Sequence, residues 1–233
     1  MTSTARRAPL VVVLIGIAAC SRAAYTGRVQ GHSDVDAEDR ALTARAVAEY
    51  RRRQRPSSDA AATARLAHVA RALVVAAEAG PAGARAKQVS WEIVLVESPN
   101  NTVATFPDGT IFVETGLLRV LPTDDALAGV IGQAVARILL AHGGEVSSHR
   151  TTGREMLTLY GIGTGRSRGD VAARQTEEAD YVGLVLAVDA GYDPDRAVVL
   201  FDQLGLRDRG RVARERLPEL RAQHASRETI RPE

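Results

Sequence analysis

Residues 123–142 read TDDALAGVIGQAVARILLAH, and the fold turns on this stretch. Thr123 is a good helix N-cap, and Asp124 and Asp125 put two carboxylates in the first turn, at the positive end of the helix dipole. Behind them Leu127, Val130, Ile131, Val135, Ile138 and Leu139 make the helix apolar almost all round. Such a helix finds no solvent face and belongs at the centre of a fold.

The flanking sequence supplies what would surround it. Ala37 to Arg55 and Asp59 to Ala79 have helical spacing, separated by Pro56-Ser57-Ser58, and Pro81-Ala82-Gly83 ends the second helix. Val89 to Glu97, VSWEIVLVE, is rich in β-branched residues and predicts a strand, closed by Ser98-Pro99-Asn100-Asn101. Thr102 to Phe106 and Thr110 to Val113 predict two shorter strands around the turn Pro107-Asp108-Gly109, and Thr115 starts a short helix. Downstream, Gly161, Gly163, Gly165 and Gly169 mark a loop. No strand precedes it, so a phosphate-binding turn is not supported. Helices are expected at about Val171 to Ala190 and Pro194 to Leu204, followed by a charged helical tail. The class is α+β, a small sheet beside a helical bundle.

Five segments in order carry a family resemblance. They are the strand containing Trp91-Glu92-Ile93, the run Thr105 to Val113 with Thr115 to Leu118, and Asp124-Asp125 ahead of Val130-Ile131-Gly132. Glu178-Ala179-Asp180 and Ala190-Gly191-Tyr192-Asp193-Pro194 complete the set. Over roughly residues 40 to 230 the chain resembles metallopeptidase family 48, the HtpX and CAAX-prenyl-protease-like family, in its periplasmic lipoprotein branch. The resemblance implies a zincin-like fold. It also implies H-E-x-x-H directly after Val-Ile-Gly, two His one turn apart on zinc with a Glu to activate the bound water, and a third ligand four residues before the Asp of the second-helix motif.

Carried over residue by residue, those positions are Gln133, Ala134, Arg137 and Thr176. Gln and Thr are poor zinc ligands, Arg stays protonated, and Ala cannot act as a base. The expectation is therefore a degenerate motif with no catalytic residue, no metal ligand and no cofactor, while Glu178, Ala179 and Asp180 of the second helix are retained. His142, Glu145 and His149 have i, i+3, i+7 spacing, but rotation of about 100 degrees per residue turns them away from positions 133 and 137. Gly143-Gly144 also threatens the helix there, so they read as surface polar groups. Glu177 beside Glu178 does not point the same way. His224 matches a late family motif weakly, and His32 and His68 read as tether and helix surface. For Arg137 two outcomes stand open, pairing with Asp180 or Glu177 across the helices or reaching solvent.

In active relatives the segment matching Thr102, Val103, Ala104, Thr105 and Phe106 resembles an edge strand that accepts extended polypeptide. That role needs backbone groups and no zinc. The expected function is a pseudoenzyme binding unfolded or assembling envelope polypeptides, or regulating an active relative, in protein quality control. The competing readings are an active zinc-dependent metalloendopeptidase with unorthodox ligands and a purely structural lipoprotein.

The first twenty residues, MTSTARRAPLVVVLIGIAAC, place Arg6-Arg7 before an apolar run and small residues before Cys20. This predicts a secretory signal over 1–19, with a run too short to span a bilayer. Ile17-Ala18-Ala19-Cys20 resembles a lipobox, which implies lipidation of Cys20, a membrane anchor and a bacterial envelope location, periplasmic-facing and at the outer membrane. Residues 20–36 read as a flexible tether and 37–233 as the metallopeptidase-like domain. Cys20 is the single cysteine, which excludes an intrachain disulfide. Arg6 and Arg7 are the only charged side chains of residues 1–19, so of the chain's 30 basic and 28 acidic groups the remainder carries 28 of each. A balanced surface gives no support for nucleic acid as partner, and Arg51, Arg52, Arg53 and Arg55 read as a solvated helix face.

Overall fold

In the computed structural model, Thr123 caps the helix that follows it. Its side chain accepts from the backbone N–H of Ala126 at 3.3 Å, and α5 (Asp124–Leu139) runs behind it with Ala126 through Leu139 all buried. The structure describes residues 20–22, 25–27, 29–31, 37–140, 170–206 and 211–230.

Earlier in the chain, α1 (Ala37–Arg53) and α2 (Ala60–Ala79) form where helical spacing predicts them. Asp59 caps α2 by accepting from Ala62 N–H at 2.9 Å. A single turn, α3 (Gly83–Ala86), leads to β3 (Glu92–Val96). β4 (Val103–Thr105) and β5 (Thr110–Glu114) follow, then α4 (Thr115–Val120). At the turn between β4 and β5, Gly109 adopts φ 104°, a backbone state that disfavours any side chain. Beyond α5 come α6 (Asp170–Asp189), α7 (Pro194–Val198), α8 (Leu200–Gln203), α9 (Arg211–Glu215) and α10 (Leu217–Ile230). The stretch 194–204, expected as one helix, is thus two short ones. The glycine-rich loop expected over 161–169 lies outside the described residues.

The sheet has the order β3-β5-β4. β3 pairs parallel with β5, from Glu92 opposite Thr110 to Val96 opposite Glu114, and β4 pairs antiparallel, Val103 opposite Val113. One face joins the main core with α2, α5 and α6, through Leu95, Val103, Ile111 and Val113. The other is covered by α1, where Ala46, Val47 and Tyr50 meet Val96, Ala104, Phe106 and Phe112. The three rings pack closely, Tyr50 to Phe112 at 4.8 Å and Phe106 to Phe112 edge-on at 5.9 Å. Both faces being covered explains why β5 is buried at every position rather than alternating. The result is an α+β, zincin-like arrangement with a small sheet packed among helices.

Within residues 20–36, read above as a tether, β1 (Cys20–Arg22) and β2 (Val29–Gly31) pair as an antiparallel hairpin. Its turn is held against the domain. Tyr25 packs on the main core beside Gly80, and Thr26 Oγ1 donates to Glu178 Oε1 of α6.

Candidate functional site

The crossing of α5 and α6 sets the geometry. A Cβ added to Gly132 would lie 2.3 Å from Gly183 O, and one added to Gly183 would lie 2.4 Å from Gln133 N. The two backbones therefore touch where the glycines face each other, and only hydrogen atoms fit between them. This contact fixes what stands on either side of it. On α6, Thr176, Asp180 and Gly183 recur at i, i+4 and i+7, one face of a helix. On α5, Gln133 and Arg137 are one turn apart.

Across that seam Gln133 Nε2 donates to Asp180 Oδ1. Gln133 is 4 % and Asp180 2 % exposed, so the amide and carboxylate satisfy each other away from water. Gln133 Oε1 has no hydrogen-bond partner among the described residues. Ala134 is wholly buried in the core. Arg137, in the last turn of α5, is buried at 9 % exposure. Asp180 accepts from Gln133, a partner that sequence reading did not assign. Glu177 turns the other way and sits 3.6 Å from Arg211 of α9. Glu178, expected above as part of a retained second-helix motif, is held by Thr26 of the hairpin. Thr176, expected above at the position of the third ligand, is half-buried on α6.

A zinc ion does not fit these four positions. They offer an amide already engaged with a carboxylate, a methyl group, a guanidinium that stays protonated, and a hydroxyl. Among the described residues, no three His, Cys, Asp or Glu side chains gather into a metal-binding group. His142, Glu145 and His149 lie outside the described residues. His68 is exposed on α2, and His224 is half-buried on α10.

The segment expected to bind polypeptide is at the sheet's edge in topology, since β4 ends the order. Glu114 N–H donates to Thr102 O at 3.1 Å and Phe106 N–H to Thr110 O at 2.9 Å. Thr102 and Phe106 thus face β5, and the alternate residues Val103 and Thr105 turn their backbone groups to the outer edge. Val103, Ala104, Thr105 and Phe106 are nonetheless all buried. The strand is thus at the edge of the sheet, as expected, and buried in this conformation.

Charged groups hold the rim. Asp193 N–H donates to Asp125 Oδ1 at 2.9 Å, Arg196 lies 3.8 Å from Asp125, and Arg221 of α10 forks onto Asp195 at 2.6 and 2.9 Å. Arg221 beside Asp195 holds that carboxyl below its usual range. α10 thereby grips the start of α7. Arg216 stacks 4.5 Å over the Tyr181 ring. Burial pushes the Tyr181 phenol up against the opposing effect of Arg216.

Comparison with known proteins places this geometry. The model of peptidase family M48 matches residues 60–229. The mitochondrial metalloendopeptidase OMA1 of Arabidopsis thaliana is 33% identical over 127 residues, covering 50% of this chain and 26% of the relative. The OMA1 metalloendopeptidases of Schizosaccharomyces pombe and Saccharomyces cerevisiae are each 26% identical, over 133 and 129 residues, 38% and 37% of their lengths. The chain thus spans between a quarter and two fifths of the curated relatives it matches. These relatives are named mitochondrial and come from eukaryotes, which overturns the bacterial envelope and outer-membrane location expected from the first twenty residues.

Proposed function

The chain belongs to peptidase family M48, and on that premise we propose that it binds extended polypeptide without hydrolysing it. One observation supports this most strongly. The two helices that zinc joins in the family are joined here by the hydrogen bond from Gln133 to Asp180, with Arg137 buried one turn on. Nothing at these positions activates water, because Ala134 has no base to offer and a guanidinium does not ligate a cation. The polypeptide would add to β4 through the outward groups of Val103 and Thr105. β4 is buried in this conformation, so its exposure and the binding of polypeptide are coupled. Partners of this chemistry are unfolded or assembling chains, or an active relative that this protein regulates.

The competing reading is cleavage, as the relatives' name metalloendopeptidase describes for them. Elemental analysis of protein purified without chelators separates the two. Substoichiometric zinc and no cleavage of a reduced, alkylated polypeptide are expected, and one zinc per chain with cleavage defeats the proposal. For the binding half, a photo-crosslinking residue at Thr102 is expected to capture that unfolded polypeptide, while one at Val75 on α2 does not. Equal capture at both positions counts against β4.

Cys20 carries a second part of the proposal. We infer that its thiol is acylated, on the strength of the apolar run and small residues before it. Intact mass of chain extracted from membranes is expected to exceed the polypeptide mass by acyl groups, and to lose that excess in Cys20→Ser.

A further inference from the structure

Along its outer face α2 exposes Ala67, His68, Arg71, Val75 and Ala79. α2 is long and apolar enough to cross a membrane, yet only 33% of its most apolar window is buried. Val75, at 58 % the most exposed large apolar side chain among the described residues, stands on that face. Beside it runs a groove of about 510 Å³, floored by Ala72, Val75, Ala76 and Ala79 and edged by His68 and Arg71. Its far wall is Asp189 and Ala190 at the end of α6, and Gln223 of α10 donates to Asp189.

The hairpin says what lies opposite this face. Tyr25 sits beside Gly80, which lines the groove, with its hydroxyl 2.6 Å from where a Gly80 Cβ would stand. Burial, with the charge of Asp189, pushes its phenol up to about 12. From that seat the chain runs back to Cys20 and the apolar stretch Leu10 to Ile17. A chain reaches at most about 3.6 Å per residue, so Cys20 stays within roughly 18 Å of Tyr25 and Ile17 within roughly 29 Å. Whichever of these enters lipid, the α2 face is held close to the bilayer. At so short a leash the effective concentration is high, and a face of Ala and Val needs little intrinsic affinity.

We propose that the outer face of α2, centred on Val75 with Arg71 at its rim, lies flat on a lipid bilayer. Its apolar side chains enter the headgroup boundary while the Arg71 guanidinium snorkels to anionic headgroups. The proposal rests on the leash being lipid-bound and not on the loss of hydrolysis.

The test uses the full chain with phosphatidylcholine–phosphatidylglycerol vesicles whose acyl chains carry bromine. Val75→Trp and Val199→Trp are compared, with Trp91 of the unaltered chain as baseline and circular dichroism confirming the fold. Val75→Trp is expected to be quenched at least about twofold more than Val199→Trp. Adding Arg71→Glu is expected to lower that quenching while the chain stays on the vesicle. Equal quenching at the two positions overturns the proposal, as does failure of the chain to join vesicles. Shielding of Val75→Trp that depends on protein concentration without lipid also overturns it, and assigns the face to a second copy of the chain.

Discussion

Replacing Asp180 by Ala leaves the Gln133 amide buried with no acceptor. The expected loss is about 1–3 kcal/mol in urea unfolding. Changing Gln133 and Asp180 together to Leu removes donor and acceptor at once and is expected to cost less than the two single changes summed. An additive pair of effects would show that the two side chains do not depend on each other. Ionisation gives a second prediction. Burial, then the charge of Glu114, pushes the Tyr50 phenol from 10.0 to about 12, and Tyr25 is raised likewise. A raised phenol favours the neutral form in the folded state. Its stabilisation is complete below pH 10 and is lost as pH rises through 10 towards 12. The urea midpoint is expected to fall across that window, and to fall less in Tyr50→Phe; a flat profile sinks the assignment. At this scale the sequence named Gln133, Ala134, Arg137 and Thr176 as the positions to inspect, because motif positions are read one at a time. It did not show that Asp180 accepts from Gln133 or that Thr26 holds Glu178, since those pairs are 47 and 152 positions apart.

Among elements, the α5–α6 contact is the most demanding. Gly183→Ala puts a methyl carbon 2.4 Å from backbone that has nowhere to move, and about 3 kcal/mol or more is expected by thermal unfolding. At α2 the Asp59 cap faces solvent, and Asp59→Ala is expected to cost about 1 kcal/mol. A larger loss from the cap than from Gly183→Ala would mean that the helices are not in contact there. Helices and strands from Ala37 to Leu139 were legible because capping residues, periodicity and β-branched runs agree with one another there. The split of 194–204 into α7 and α8 was not. No Gly or Pro interrupts that stretch beyond its first residue, and the helices packed around it decide.

For the whole molecule, metal is the deciding variable. With a protein hydrogen bond across α5 and α6, the melting temperature is expected to be unchanged by chelator. Restoring Gln133→His, Ala134→Glu, Arg137→His and Thr176→Glu together is expected to confer binding of one zinc, read by elemental analysis, and a metal-dependent rise in melting temperature. A restored variant that folds yet binds no zinc would mean that the helices are misplaced for ligation. The second core gives an independent check. Phe112 bridges Tyr50 and Phe106 beneath α1, and Phe112→Ala is expected to cost about 3–5 kcal/mol in urea unfolding.

By itself the sequence determined the class of fold and the central place of α5. Each follows from local pattern or from residue type, and neither depends on where distant segments go. Only tertiary structure decided that Gln133 reaches Asp180, that Arg137 stays buried, that β4 is covered and that Tyr25 fastens the hairpin to the domain. These depend on close approach of segments far apart in the chain, and one buried side chain is accepted or refused by neighbours that periodicity does not name.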